Sequence, residues 1–111
     1  MPETTSQARV VLTTAASADD ARRLGRALVE ERLAACATLI PAAESIYHWE
    51  GRVETATETL LLLKTGVDQL AALEARLLEL HPYETPEFLV LPIEAGSDAY
   101  LAWMKTGLRQ T

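Results

Sequence analysis

The chain of 111 residues carries sixteen acidic and ten basic side chains, for a formal net charge of −6 at pH 7. This length predicts a single domain. The acidic balance argues against nucleic acid as a partner, because binding to phosphates requires clustered basic side chains. Apolar residues make up 49% of the chain, yet no run approaches the roughly 18 unbroken apolar residues of a membrane-spanning helix. We therefore expect neither a nucleic acid nor a membrane as a partner.

The N-terminus and the cysteine count indicate the compartment. Residues 1–7 are polar, with no basic start and no apolar run before a cleavage site. They predict a disordered tail without a secretory signal, followed by a single domain over residues 8–111. Cys36 is the only cysteine, so no disulfide forms within one chain, and a reducing, cytoplasmic setting is expected.

The first two elements are predicted from local patterns. Residues 8–14 are rich in β-branched and apolar side chains, which is typical of a buried strand. Ser17 precedes Asp20 by three positions, the spacing of a capping box, and apolar residues recur after it at helical spacing. We predict a helix over about residues 18–33.

A long β-hairpin follows the helix. Residues 34–40 have the pattern of a strand, and Pro41 predicts a bend or bulge because proline donates no hydrogen bond to a ladder. The strand is predicted to resume over residues 44–49. Glu50-Gly51 supplies the turn, and the return arm runs over residues 52–65.

The return arm leads into a second helix. Its residues 60–63 are a run of leucines, which predicts a strand buried on both faces. Thr65 precedes Asp68 by three positions, so the second helix is predicted to start there. It should end near His81, because Pro82 disfavours the helical conformation in the residue before it.

The last elements complete a recognisable order. Residues 87–93 form the last long strand, and residues 96–98 cap a short helix at the C-terminus. The order is β-α-β-β-α-β plus a tail helix. This predicts an α+β, ferredoxin-like fold, with an antiparallel sheet covered on one face by helices.

The hairpin is too long for the domain that carries it. Arms of about 13 residues at roughly 3.3 Å each reach about 40 Å, whereas a compact chain of this size has a diameter near 35 Å. The overhang carries Ile46, Tyr47, Trp49 and Val53, which are poor choices for a free tip. We expect the hairpin to dock on another copy of the chain; the alternative is that it bends back over its own sheet at Pro41.

Metal ligands are few. Cys36, His48 and His81 are the only soft or borderline ligands, too few for a closed zinc site in one chain, and a lone cysteine is more often a small buried apolar residue. Residues 81–87 (His-Pro-Tyr-Glu-Thr-Pro-Glu) suit a first-row divalent cation, since two prolines stiffen a loop bearing an imidazole and two carboxylates. A helix stop followed by solvated acids is an equally open interpretation for one chain. Around a symmetry axis, however, one histidine per chain becomes a cluster.

Catalysis has weaker support. No Gly-x-Ser-x-Gly elbow, phosphate loop or dinucleotide fingerprint occurs. Lys64 precedes Thr65-Gly66 where an anion can bind at a helix start, although a lysine that ends a buried strand by reaching water is commoner. Glu58 is a candidate partner of Lys64 or of an arginine. We expect a protein that is not an enzyme.

Five blocks, in order, resemble the CutA divalent-cation tolerance family. They are residues 31–36, 46–51, 63–65, 81–87 and 100–103. The resemblance implies a ferredoxin-like fold, a tight homotrimer similar in fold and assembly to the PII signalling proteins, and a role in tolerance of divalent metals such as copper. Gly66 departs from the pattern, which has a second threonine or a similar polar residue there.

The resemblance also implies where a site lies. Cys36, His81 and Glu84 are the candidate metal ligands, for copper or another divalent cation that is not an essential cofactor. Clefts between subunits are expected to be lined or supported by the candidates Tyr47, Trp49, Lys64, Tyr83, Glu87 and Trp103. The function implied is a regulatory or homeostatic homotrimer that binds metal or a small ligand in these clefts, with a signalling partner that the sequence does not name. The alternative is a structural or anchoring trimer without a physiological metal site.

Overall fold

The computed structural model describes residues 6–110, which form one four-stranded antiparallel sheet in the order β2-β3-β1-β4. The predicted α+β, ferredoxin-like fold is confirmed. The elements in chain order are β1 (Ala8–Ala15), α1 (Ala18–Glu30), β2 (Cys36–Trp49), β3 (Arg52–Gly66), a 3-10 turn (Val67–Gln69), α2 (Leu70–Leu80), β4 (Leu89–Pro92) and α3 (Asp98–Thr106).

The main core lies between one face of the sheet and helices α1 and α2. Val11 on β1 pairs with Leu63 on β3, and both side chains are fully buried. Leu28 of α1 and Leu77 of α2 are also fully buried in the same cluster. Because burying a leucine side chain stabilises a fold by about 1.5–3 kcal/mol, this covered face supplies most of the hydrophobic stabilisation.

Helix α1 begins as predicted and ends earlier than predicted. The Ser17 hydroxyl accepts a hydrogen bond from the backbone N–H of Asp20 at 3.1 Å, which confirms the cap. The helix was predicted to reach residue 33, but it ends at Glu30. Arg32 takes a left-handed conformation (φ 61), which turns the backbone N–H of Leu33 back to the Leu28 carbonyl. Such a turn terminates a helix.

The predicted start of the second helix is wrong. Thr65 does not cap it, since Thr65 lies in β3 and its buried hydroxyl donates to the Leu33 carbonyl at 2.7 Å. A 3-10 turn leads into α2 instead, and the helix has no side-chain cap. Its end is confirmed, because α2 stops at Leu80 and His81 is extended before Pro82.

The hairpin is as long as predicted and bulged where predicted. The β2–β3 register shifts between Ile40 and Ala43, beside Pro41, and pairing then continues to Trp49 opposite Arg52. The chain measures 47 × 29 × 22 Å, so the hairpin extends away from the body. At its tip Ile46, Trp49 and Val53 are more than 60% exposed.

The second face of the sheet is largely open, which corrects two expectations. Residues 60–63 are not buried on both faces, because Leu60 and Leu62 point away from α1 and α2 and are only half-buried. Helix α3 is not on the covered face; it packs at one end of the sheet in a second cluster with Ala35. On this face Leu12 of β1 lies between Leu62 of β3 and Leu89 of β4. We call this apolar surface the open face; its members are Leu12, Ile40, Leu60, Leu62, Leu89 and Leu91.

The ends of the chain and of β4 complete the comparison with the sequence. The last strand was predicted over residues 87–93, and β4 is shorter, Leu89–Pro92. Residues 1–5 of the predicted tail lie outside the described residues, while the Gln7 carbonyl accepts a hydrogen bond from the Val67 N–H at 2.9 Å. Within residues 6–110, no helix combines the length and the apolar character needed to cross a bilayer.

Candidate functional site

His81 is held by both of its ring nitrogens. It follows α2, is 6% exposed, and its Nε2 lies 2.7 Å from the Thr14 carbonyl oxygen at the end of β1. Its Nδ1 accepts the backbone N–H of Tyr83 at 3.1 Å. A carbonyl only accepts, so Nε2 carries the proton and the ring has the Nε2–H tautomer. Pro82 lies between the two residues and restricts the turn that makes this possible.

Tyr83 connects the histidine to an acidic side chain. Its ring packs against the His81 ring with centroids 4.7 Å apart, and its hydroxyl donates to a Glu58 carboxylate oxygen at 2.7 Å. Burial, followed by the bond to Glu58 and its negative charge, raises the pKa of Tyr83 to about 12. The phenol is therefore neutral at pH 7 and acts as a donor.

Glu58 is the charged centre of this group. Burial acts to raise the pKa of its carboxyl, but hydrogen bonds from Tyr83 and from neighbouring hydroxyls outweigh burial and lower that pKa. The hydroxyls belong to Ser45 and Thr14. The predicted pairing of Glu58 with Lys64 or an arginine is wrong, since its partner is Tyr83. We call His81, Tyr83 and Glu58 the polar cluster; at pH 7 it presents an anion that can accept a donor or a cation.

Cys36 lies with a second group of side chains at the other end of the sheet. It opens β2 opposite Lys64, and its Sγ lies 3.9 Å from the Tyr100 hydroxyl of α3. The Lys64 ammonium donates to the Thr38 hydroxyl at 3.3 Å. Tyr100 in turn packs on Trp103, with ring centroids 5.4 Å apart. Cys36 is thus opposite Lys64 on the sheet and is connected to Trp103 through Tyr100.

The two groups are separate within one chain. The Thr14 carbonyl that binds His81 is opposite Leu60, whereas Cys36 is opposite Lys64. Four residues along a strand correspond to roughly 13 Å. Across residues 6–110, no three His, Cys, Asp or Glu side chains gather closely enough to hold a metal ion. The ligand set of Cys36, His81 and Glu84 stays a prediction, and it requires more than one chain.

The remaining predicted residues lie on the hairpin and on the loop before β4. Tyr47 and Trp49 are exposed near the hairpin tip, at 43% and 61%. Glu84 is exposed and Glu87 is half-buried in the loop that follows Tyr83. The fold brings Tyr83 to His81, but Trp49 remains at the far end of the hairpin, opposite Arg52.

Sequence reasoning missed the partners of His81 and Tyr83. The partner that Thr14 contributes is a backbone carbonyl, which no pattern of side chains in the sequence predicts. Glu58 had a usable signal, because it is a charged residue in the strand just before the leucine run at residues 60–63. Burying a carboxylate costs free energy unless it is hydrogen-bonded, so a donor close to it was to be expected.

Comparison with known proteins identifies the family. Residues 9–107 match the model of the CutA1 divalent ion tolerance protein family. A "Divalent-cation tolerance protein CutA" of Escherichia coli is 48% identical over 100 residues, which cover 90% of this chain and 89% of that protein. The crystal structure of CutA1 from Oryza sativa is similar with a TM-score of 0.92 and 38% identity, covering 98% of this chain and all of that one.

A second similar structure belongs to a protein whose description includes a cellular location. The CutA of Archaeoglobus fulgidus is described as a periplasmic divalent cation tolerance protein. It has a TM-score of 0.88 and 32% identity, and covers 92% of this chain and 99% of that one. The chain belongs to the CutA1 family, which confirms the resemblance drawn from its five blocks.

Proposed function

From this family membership, we propose that the chain is a divalent-cation tolerance protein that assembles as a homotrimer and binds copper or another divalent cation, or a small ligand, in clefts between subunits. The observation that carries this proposal is the separation of its candidate ligands. Cys36 is opposite Lys64 of β3, whereas His81 binds the carbonyl of Thr14, which is opposite Leu60. Four residues along the strand are roughly 13 Å, which is too far for one metal ion. A shared site therefore needs side chains from different copies.

The open face supports assembly. Its members Ile40, Leu89 and Leu91 are 44%, 54% and 46% exposed, and contiguous apolar surface of this kind marks an interaction site. On β3, the alternating residues Leu61 and Leu63 fill the covered core, so the pattern there follows the pleat of the sheet. A second copy that presents the same apolar row is the complementary partner for this surface.

The charge of the chain supports a cationic ligand over an anionic one. The net charge of −6 attracts cations. Glu58 in the polar cluster and Glu84 in the following loop supply carboxylates close to His81 in sequence or in space. A metal bound by His81 would have to replace one of the two hydrogen bonds that its ring now makes.

The test is copper titration by calorimetry at neutral pH, with light scattering on the same samples. Wild type is expected to scatter as three chains of 12.1 kDa and to bind copper with a defined stoichiometry per trimer. Cys36→Ser and His81→Gln are the matched variants, since glutamine retains one donor and one acceptor for the Thr14 and Tyr83 bonds. Both variants should bind copper more weakly as intact trimers. Equal binding by all three proteins would overturn the metal assignment.

A structural or anchoring trimer is the second candidate. The observation that favours it is the complete hydrogen bonding of His81 inside one chain, because a ligand residue would keep one nitrogen accessible. It predicts that His81→Gln leaves copper binding unchanged while His81→Ala lowers thermal stability.

We also propose that the chain is a binding protein without catalytic activity and that it is located in the cytoplasm. Glu58 is held by the Tyr83 hydroxyl and both ring nitrogens of His81 are hydrogen-bonded, which supports a binding or structural role over a catalytic one, and one cysteine per chain suits a reducing compartment. Cell fractionation with an antibody against the chain would test the location, and recovery in the periplasmic fraction would contradict it.

A further inference from the structure

A groove of about 450 Å³ lies beside α3, away from the polar cluster. It is bounded by the start of β1, the end of β3, the loop after β4 and one side of α3. Its apolar lining includes Ala8, Leu101, Met104 and Leu108, and neither His81 nor Cys36 contributes to it. Its volume falls within the roughly 300–1,000 Å³ of small-molecule sites.

Gly66 lines this groove, and a side chain at this position would crowd Leu108, which also lines it. A Cβ at this position would lie 3.4 Å from Cδ1 of Leu108 and 3.3 Å from the flexible side-chain oxygen of Gln69. The backbone there is extended (φ −133) and does not require glycine. The missing side chain therefore changes the available space, not the strand, and a larger residue would press on Leu108 in the lining of the groove.

The lining of the groove holds one basic and one acidic side chain. Lys105 lines it four residues after Leu101, about 6 Å farther along the helix. Among residues 6–110, Lys105 makes no ion pair. Glu94 lines the groove near the start of α3. An anionic group is favoured at Lys105 and disfavoured at Glu94, so the lysine is the place for the acidic end of a ligand.

We propose that this groove binds a small amphipathic carboxylate, with its carboxylate at the Lys105 ammonium and its hydrocarbon tail along Leu101, Met104 and Leu108. The apolar lining stabilises the tail by burial, and the lysine stabilises the head by a charge-assisted hydrogen bond. This site goes beyond the proposed cation function, because it takes an anion and shares no residue with the candidate metal ligands.

The experiment is calorimetric titration of the full chain, in its solution assembly, with octanoate and separately with 1-octanol. Octanoate is expected to bind once per chain. Lys105→Met removes the charge and keeps the apolar stem, so octanoate should bind about tenfold more weakly, while octanol binding should not change. Lys105→Arg should restore octanoate binding, and Arg26→Met on the exposed side of α1 is the matched charge control.

Gly66→Val tests the space. Valine suits an extended strand, and it should weaken octanoate and octanol binding alike by about tenfold or more, since each methylene excluded from an apolar site costs several-fold in affinity. Gly66→Ala is the milder variant if valine prevents folding, and thermal unfolding checks both. Copper titration of these variants separates the groove from the proposed metal function, which Gly66→Val should leave unchanged.

Three results would overturn the proposal. If the wild-type protein fails to bind octanoate at millimolar concentration, the groove is not a site for such a ligand or another copy covers it. If a folded Gly66→Val or Gly66→Ala variant binds octanoate with unchanged affinity, the ligand binds elsewhere. If Lys105→Met binds octanoate with unchanged affinity, Lys105 does not bind the carboxylate.

Discussion

The covered and open faces of the sheet are built from the same strands and differ in what lies on them. Leu61 and Leu63 face α1 and α2 and are fully buried, whereas Leu62 between them faces away and is half-buried. Farther out on that second face, Leu89 is 54% exposed. Side chains of similar hydrophobicity thus stabilise the single chain on one face and, on the other, form the apolar surface that we propose for assembly.

The largest effect is expected from a charge on the open face. Leu62→Asp should abolish the proposed trimer, because each assembly would have to bury an unpaired carboxylate, which costs several kcal/mol. Light scattering should then give the mass of one chain, 12.1 kDa. Leu78→Asp is the control, since Leu78 on α2 is 48% exposed and lies outside this face. Equal dissociation by the two variants would contradict the special role of the open face.

A cavity on the covered face is the next prediction. Leu61→Ala should lower the free energy of unfolding by about 2–5 kcal/mol, since it leaves a void under α1 and α2. Urea denaturation followed by circular dichroism measures this. In the monomeric background of Leu62→Asp, a truncation of half-buried Leu60 to alanine should cost clearly less. A cost as large for Leu60 would show that the two faces do not differ within one chain.

The polar cluster gives a smaller, pH-dependent effect. Tyr83→Phe and Glu58→Gln should each lower the free energy of unfolding by about 1.5–3 kcal/mol at pH 7, the usual contribution of a hydrogen bond to a charged group. The pKa of Glu58 is lowered in the folded chain from its ordinary 4.5. Its stabilisation is therefore present above pH 4.5 and is lost as the pH falls through the folded pKa.

Glu58→Gln should accordingly flatten the acid limb of the stability curve below pH 4.5. The pH dependence of the stabilisation by Tyr83 has the opposite sign, since its raised pKa of about 12 favours the neutral phenol in the folded chain. Its contribution is complete below the ordinary value of 10 and is lost as the pH rises toward 12. An unchanged acid limb in Glu58→Gln would remove Glu58 from the stabilising cluster.

The smallest effect on the single chain is expected at the hairpin tip. Trp49→Ala should change the unfolding free energy of the monomeric Leu62→Asp background by no more than about 0.5 kcal/mol, because the side chain is largely exposed. If the tip docks on another copy, the same substitution in the trimer should lower its thermal midpoint. Thermal melts of both backgrounds distinguish a docked tip from a free one.

Much of the local structure could be predicted from the sequence because it depends on residues that are close together in the chain. The Ser17 cap, the bulge beside Pro41 and the end of α2 before Pro82 depend on residues a few positions apart. Thr65 had the same kind of local signal and was misread. Its hydroxyl satisfies the Leu33 carbonyl across the fold, and a buried acceptor is costly to leave unpaired.

The sequence by itself determined the order of elements, the hairpin and its length, and the family blocks that carry His81, Tyr83 and Trp49. Only the tertiary structure decided that Tyr83 binds Glu58, that His81 uses both nitrogens, and that Cys36 lies at the opposite end of the sheet. Periodicity and turn chemistry act over a few residues and leave a record in the chain. The partners of a buried polar group are chosen by strand register and helix packing, which join residues far apart in sequence.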